Sequence, residues 1–89
     1  MYELIIVTLE KIVYQGQVKY ISVPGSEGLF EVLMNHAPII ASMTAGELTV
    51  LDANNHRLIY TITGGMFEFS RNKATVLVDA LIHVETAKS

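Results

Sequence analysis

The sequence predicts an all-β protein, a flattened β-sandwich or barrel of about eight to ten short strands. Turn-forming residues recur roughly every eight to twelve residues along the 89-residue chain. The segments between these turns are rich in β-branched and aromatic residues, which favour a pleated sheet. The one helical candidate, residues 30–34, is too short to be stable alone.

The N-terminal half contains five predicted strands. The first is rich in Ile, Val and Leu, and we expect it to be buried on both faces, with the Gln15-Gly16 pair marking the turn that follows. In the second strand, alternation puts Val18 on the same face as Tyr20, opposite Lys19 and its alternate neighbours Ile21 and Val23. Clusters rich in Pro, Gly and Asn separate the remaining strands. The five predicted strands are residues 2–9, 17–23, 29–34, 39–43 and 47–52.

The C-terminal half alternates more clearly. Phe67 and Phe69 share one face of a predicted strand, with Met66 and Glu68 on the other. The next strand sets Val76 and Val78 against Thr75 and Leu77. The predicted strands here are residues 57–63, 66–70, 74–79 and 80–84. We therefore expect one domain over residues 1–84 and a frayed tail over residues 85–89.

Composition excludes several classes of protein. The chain is 51% apolar and 17% charged with a net charge of −3, which argues against a disordered segment and against nucleic-acid binding. No apolar run approaches the roughly 20 residues of a membrane span, and the first residues do not resemble a secretion signal. A chain this small has more apolar side chains than its own core should be able to bury. This apolar excess has two open explanations: a surface that binds a partner, or a dense β core with ordinary exposed side chains.

No motif predicts an active site. The chain has no Cys, and His36, His56 and His83 lack the close spacing of metal ligands. Glu27 and Glu31 could form an acid–base pair, but two solvated carboxylates, one on a loop and one on the strand after it, explain them better. Ser26 lies in neither a nucleophile elbow nor a phosphate loop. We expect no catalytic residue, no cofactor and no metal; the rigid His36-Ala37-Pro38 corner reads instead as a contact point.

An ordered set of short motifs resembles the epsilon subunit of F-type ATP synthase. The set covers that family's N-terminal domain from end to end, and its order and spacing are more specific than any single motif. It consists of Tyr2-Glu3-Leu4, Val23-Pro24-Gly25-Ser26-Glu27-Gly28, His36-Ala37-Pro38-Ile39-Ile40, Ala45-Gly46-Glu47-Leu48, Gly64-Gly65-Met66-Phe67-Glu68 and residues 74–80.

The resemblance implies a non-catalytic rotor subunit in the central stalk, on the cytoplasmic face of the bacterial plasma membrane and linked to the membrane only through the complex. It would bind the gamma subunit and the ring of c subunits and help couple proton flow to ATP synthesis. The positions that match the family's gamma-facing surface are His36, Ala37, Pro38, Ile39, Ile40, Met43 and Gly46. Those that match its c-ring loop are Glu27, Gly28, Leu29, Phe30 and Glu31.

The chain departs from the family pattern in two places. The family often has an acidic residue just after the glycine of the c-ring loop and a glycine two places on, where this chain has Leu29 and Glu31; a shift of two residues keeps the carboxylate on the same strand face. The sequence also stops at Ser89, where the family's C-terminal helical hairpin would begin. We therefore expect a short form, without inhibition by that hairpin and without an ATP site.

A second function class stays open beside the rotor subunit. A free-standing small-ligand-binding β domain would need a pocket of roughly several hundred Å³. A thin sandwich has little interior room for one. Binding to a gamma subunit, against binding to a metabolite alone, separates the two.

Overall fold

The computed structural model describes residues 1–88, which form nine strands joined by turns, with no helix among them and hence none long and apolar enough to cross a membrane. In chain order the strands are β1 (Tyr2–Val7), β2 (Ile12–Gly25), β3 (Gly28–Leu33), β4 (Ile39–Met43), β5 (Gly46–Asp52), β6 (His56–Ile62), β7 (Gly65–Ser70), β8 (Lys73–Val78) and β9 (Leu81–Lys88).

Strand β2 belongs to both layers of a β-sandwich. Its first half pairs with β1, and its second half pairs with β3 and β5. The first sheet therefore has the order β2-β1-β8-β7-β4, and the second has the order β3-β2-β5-β6-β9. Among the strands of residues 1–88, only β1 and β8 pair in parallel. Counting β2 twice gives two five-stranded sheets, in agreement with the predicted fold class and strand number. The Cα envelope measures 28 × 26 × 24 Å, so the sandwich is close to isometric and the predicted flattening is not seen.

Alternate residues of the two sheets meet in one apolar core. The ring of Tyr2 packs edge-on against Phe69 at 5.1 Å, and its hydroxyl donates a hydrogen bond of 2.6 Å to the carbonyl of Val32 in the other sheet. Burying these side chains is the main source of stability in a domain without cross-links. The largest fully buried side chains are Tyr2, Leu4, Ile6, Val18, Ile21, Val23, Val32, Leu48, Val50, Ile62, Phe67 and Phe69.

Five strands match their predicted bounds within one residue, and β4 matches fully. The predicted turn at Gln15-Gly16 is wrong, because both residues lie inside β2 and pair with β1. The chain turns earlier, after Val7: the Thr8 hydroxyl accepts the backbone N–H groups of Glu10 and Lys11. Leu9, expected in a strand buried on both faces, is fully exposed at this turn.

Two further expectations change. The pairing of β2 with β5 shifts by one residue between Val18 and Tyr20. Val18 and Ile21 therefore both point into the core, whereas simple alternation predicted opposite faces. The last strand does not end at Val84, because the backbone of β9 continues to pair with β6 as far as His56 and Lys88. The predicted tail therefore continues the strand through Lys88, and Ser89 lies outside the described residues. The helical candidate at 30–34 is β3 and the turn after it.

Candidate partner-binding surface

The titratable side chains of the described residues do not assemble a reaction site. Across residues 1–88, no three His, Asp or Glu side chains lie close enough to hold a metal ion. His56 faces Asp52 at 3.5 Å, but Asp52 closes the β5–β6 hairpin by accepting the N–H groups of Asn54 and His56 at 2.8 and 2.9 Å. The hydrogen bond from the His56 backbone lowers the pKa of Asp52. This carboxyl group has a structural task in the turn.

The loop matched to the c-ring contact is the β2–β3 hairpin. Glu27 is exposed at its tip, and Leu29 and Glu31 are exposed on the same face of β3, as the strand period predicted. Phe30 points the other way and packs edge-on against Phe67 at 5.7 Å. Gly28 is exposed, with a φ of 133°. The hairpin therefore presents two carboxylates and one leucine to solvent, and Phe30 anchors it to the core.

Glycine is required at the base of this hairpin. A Cβ atom on Gly25 would lie 2.7 Å from the carbonyl oxygen of Gly28 and 2.8 Å from the ring of Phe30. Both contacts are shorter than van der Waals distances allow. A larger residue would force β3 away from β2 at the base of the hairpin.

The segment matched to the gamma-facing surface divides into an exposed part and a buried part. His36, Ala37 and Pro38 are exposed in the β3–β4 loop, and the side chain of Ile40 is 71% exposed on the outer face of the first sheet. Ile39 is half-buried against the core.

One member of this segment cannot serve as expected. Met43 is only 5% exposed, because its side chain fills the core, so the structure corrects the expectation that it offers apolar contact. Gly46 is half-buried, and a Cβ atom added to it would lie 3.2 Å from the ring of the chain's own Pro24; its contact with gamma stays a prediction.

Further apolar side chains near Ile40, which the sequence motifs did not predict, extend the exposed surface. Backbone pairing aligns Val7, Leu77, Met66 and Ser42 in one row across β1, β8, β7 and β4. Leu77 is 51% exposed and Met66 is 43% exposed. Ile40 lies one strand period from Ser42 on the same face. We call the apolar members of this set, Val7, Ile40, Met66 and Leu77, the outer apolar face; the polar Ser42 lies beside Met66 within it.

The alternation of the sequence contained the signal for this face. Alternation places Met66 on the strand face opposite Phe67 and Phe69, and Leu77 on the face opposite Val76 and Val78. Either residue could have been recognised as an exposed apolar position. What the sequence lacked was the pairing of β7 with both β4 and β8, which brings them beside Ile40 and Ser42.

A cleft of about 590 Å³ separates the two segments matched to different partners. Residues 25–30 of the β2–β3 hairpin form one wall, and residues 39–42 of β4 form the other. The Ser26 N–H donates to the carbonyl of Ser42 at 2.9 Å, and the Thr44 N–H donates to that of Pro24 at 2.8 Å. The hairpin and β4 are thus held together at the base of the cleft. The cleft gives the surface of the sandwich room for a side chain or a small molecule.

Comparison with known proteins gives a consistent result. Residues 1–84 match the family model described as "ATP synthase, Delta/Epsilon chain, beta-sandwich domain". The chain is 42% identical to the ATP synthase epsilon chain of Protochlamydia amoebophila, over 99% of this chain and 63% of that protein. It is 36% identical to that of Chlorobaculum tepidum, over 83% of this chain and 84% of that protein. It therefore spans less than two thirds of the length of the Protochlamydia relative.

A solved structure supports the fold independently. The chain superposes on a chain of the Euglena gracilis mitochondrial ATP synthase, from a structure of its OSCP/F1/c-ring portion, with a TM-score of 0.83. The two sequences are 20% identical, and the match covers 89% of this chain and 51% of the other. At that identity the similarity concerns the fold.

Proposed function

The chain belongs to the ATP synthase delta/epsilon chain family, and from that premise we propose that it is a non-catalytic rotor subunit in the central stalk of a proton-translocating F-type ATP synthase. In this role it binds the gamma subunit and the c ring and helps couple proton flow to ATP synthesis. It works on the cytoplasmic face of the bacterial plasma membrane, attached through the complex. It takes no part in the chemical step.

The outer apolar face carries this proposal. Met66 and Leu77 are exposed side by side on β7 and β8, and Ile40 is exposed on β4 diagonally from Met66, with Glu68 opposite it. Exposed apolar side chains grouped on one sheet face are typical of a contact surface. The exposed loop His36–Pro38 leads into the strand that carries Ile40. We assign this combined surface to gamma. Contact with apolar side chains of gamma would remove it from water and account for the apolar excess of the composition.

The β2–β3 hairpin is assigned to the c ring. Its exposed carboxylates, Glu27 and Glu31, suit polar loops that carry hydrogen-bond donors or positive charge. Gly25 and Phe30 fix the hairpin to the body of the sandwich, and backbone hydrogen bonds tie it to β4. A force applied at the hairpin therefore reaches the gamma-binding strand through a few stiff hydrogen-bonded elements. This is how a small sandwich can transmit torque between two partners without chemistry of its own.

Binding to gamma tests the proposal. Ile40→Asp should weaken the affinity for the cognate gamma subunit by at least about tenfold, since a charge would be buried without a partner. Leu33→Asp is the matched control: Leu33 is 59% exposed, but it lies on the outer face of the second sheet. Titration calorimetry gives both affinities, and circular dichroism checks folding. Equal affinities for the two variants would contradict the assignment, and a wild-type chain that ignores gamma would contradict the function.

The cleft favours a second candidate function, the binding of a small molecule. Its volume of about 590 Å³ is within the range of small-molecule sites, and Phe30 and Ile39 contribute to its walls. A free-standing ligand-binding domain would bind a metabolite there and would not bind gamma. A thermal-shift screen of metabolites with the isolated chain, run beside the gamma titration, distinguishes the two functions.

A further inference from the structure

Two asparagines from distant turns form a reciprocal amide pair. Asn35, in the β3–β4 loop, donates its backbone N–H to the side-chain oxygen of Asn72 at 2.7 Å. The side-chain NH₂ of Asn72, in the β7–β8 turn, donates to the side-chain oxygen of Asn35 at 3.0 Å. Both have left-handed backbones, with φ of 67° and 55°. The carbonyl of Asn72 also accepts the N–H of Glu3, so β1 fixes the turn as well.

The pair holds the loop that carries His36. Immediately after Asn35, the His36 N–H donates to the carbonyl of Leu33 at 3.2 Å. The His36 ring stands edge-on to Phe69, with ring centroids 6.1 Å apart. Pro38 restricts Ala37 at the far end of the loop. The loop is therefore exposed to solvent, yet it is fixed at its start by Asn35, in the middle by the contact of the His36 ring with Phe69, and at its end by Pro38.

The orientation of the His36 ring leaves one nitrogen available. Its Nδ1 lies 2.6 Å from the carbonyl oxygen of Ala37. A carbonyl can only accept, so the proton must be on Nδ1. In the neutral ring, Nε2 is then a hydrogen-bond acceptor that the contact with Ala37 does not use. The His36 side chain is exposed, so Nε2 can be reached by a partner. A hydrogen-bond donor on a partner surface is the group that would complete it.

We propose that Asn72, through Asn35, is a positioning residue that presents His36 to a hydrogen-bond donor of the gamma subunit. This inference rests on the proposed function. Hydrogen bonds between exposed amides compete with water and add little to the free energy of folding, so we expect this pair to affect binding instead. A loop already held in its bound conformation loses less conformational entropy on binding, and affinity rises accordingly.

The test removes the amide while keeping the turn. Asn72→Gly accepts the left-handed backbone but loses both hydrogen bonds to Asn35. Arg71→Gly is the matched control: Arg71 has the same φ of 55° in the same turn, and its side chain makes no hydrogen bond or ion pair within the described residues. We expect Asn72→Gly to weaken gamma binding by about threefold to tenfold, and Arg71→Gly by less than about twofold.

A double-mutant cycle with His36→Ala separates positioning from a merely structural role. If Asn72 acts through His36, Asn72→Gly should cause no further loss of affinity once His36 is alanine. If each substitution lowered the affinity for gamma independently, so that the two fold-changes multiplied in the double variant, the proposal would be overturned. So would a gamma affinity unchanged in Asn72→Gly when the wild-type chain binds well.

Amide hydrogen exchange gives a readout on the chain alone. The N–H groups of Asn35 and His36 should exchange faster in Asn72→Gly than in wild type or Arg71→Gly. Unchanged exchange would show that the pair does not hold the loop. Failure of the wild-type chain to bind gamma would instead contradict the proposed function, and the two failures are thus distinguishable.

Discussion

Tyr60 links the stability of the sandwich to alkaline pH. Its ring is buried in the second sheet, and burial raises its pKa to about 12, with a further contribution from Tyr14. In the unfolded chain the pKa of this group returns to its ordinary value of 10.0. The folded state thus disfavours the ionised form. The stabilisation is fully present below pH 10 and is lost as the pH rises through the window from about 10 to about 12.

The prediction at this scale concerns Tyr60→Phe. This variant cannot ionise, so its free energy of unfolding should fall less between pH 9 and pH 11.5 than that of wild type, by about 1 kcal/mol after allowance for solvent screening. Urea unfolding followed by circular dichroism at the two pH values measures the difference. An equal fall in both proteins would mean that Tyr60 does not carry this pH dependence.

Single residues also show where the sequence stops being informative. The segment Ile39-Ile40-Ala41-Ser42-Met43 has no clear alternation, so nothing in it says which isoleucine faces out. Pairing decides the matter: Ala41 lies opposite Phe67, which is buried, and Ile40 lies opposite Glu68, which is exposed. Met43 shares the inward face with Ala41. Its burial follows from tertiary pairing that a single strand does not encode.

At the scale of elements, the β2–β3 hairpin has the most specific consequence. If its carboxylates contact the c ring, reversing the charge of Glu31 should weaken that contact. Glu31→Lys should reduce ATP-driven proton pumping by a reconstituted ATP synthase by about twofold to fivefold per ATP hydrolysed, with the domain still folded. Fluorescence quenching in vesicles, normalised to the hydrolysis rate, measures this ratio.

The second sheet provides a control for charge reversal. Glu85 lies in the same row as Glu31, connected through Ser22, Thr49 and Ile59, but at the opposite edge of the sheet. Glu85→Lys makes the same change in net charge on the same face. It should leave pumping unchanged. Normal pumping by Glu31→Lys, or an equal defect in both variants, would contradict the assignment of the hairpin.

Strand β2 explains why element boundaries were predicted unevenly. A glycine preceded by glutamine reads as a turn, but Gly16 pairs with Leu4 inside the strand, and the side chain of Tyr14 lies beside it. The actual turn is stabilised by the Thr8 hydroxyl, a weak signal in sequence. By contrast β7 and β8, with strict alternation and a polar turn between them, were predicted within one residue.

For the whole molecule, the important result is how two contact segments are joined. One cleft separates the hairpin matched to the c ring from the strand matched to gamma. Backbone hydrogen bonds connect them at its base, including the bond from the Ser26 N–H to the carbonyl of Ser42. Sequence motifs could assign each segment to a partner by resemblance. Only the folded sandwich brings them together, because β2 passes through both sheets.

The central claim is that the outer apolar face binds gamma, and site-specific photo-cross-linking tests it most directly. A benzophenone amino acid would replace Ile40 in one variant and Leu33 in another, each assembled into the complete ATP synthase. Irradiation of the Ile40 variant should give a covalent adduct with gamma, identified by mass spectrometry, while the Leu33 variant should give none. An adduct with gamma from position 33 and none from position 40 would contradict the claim.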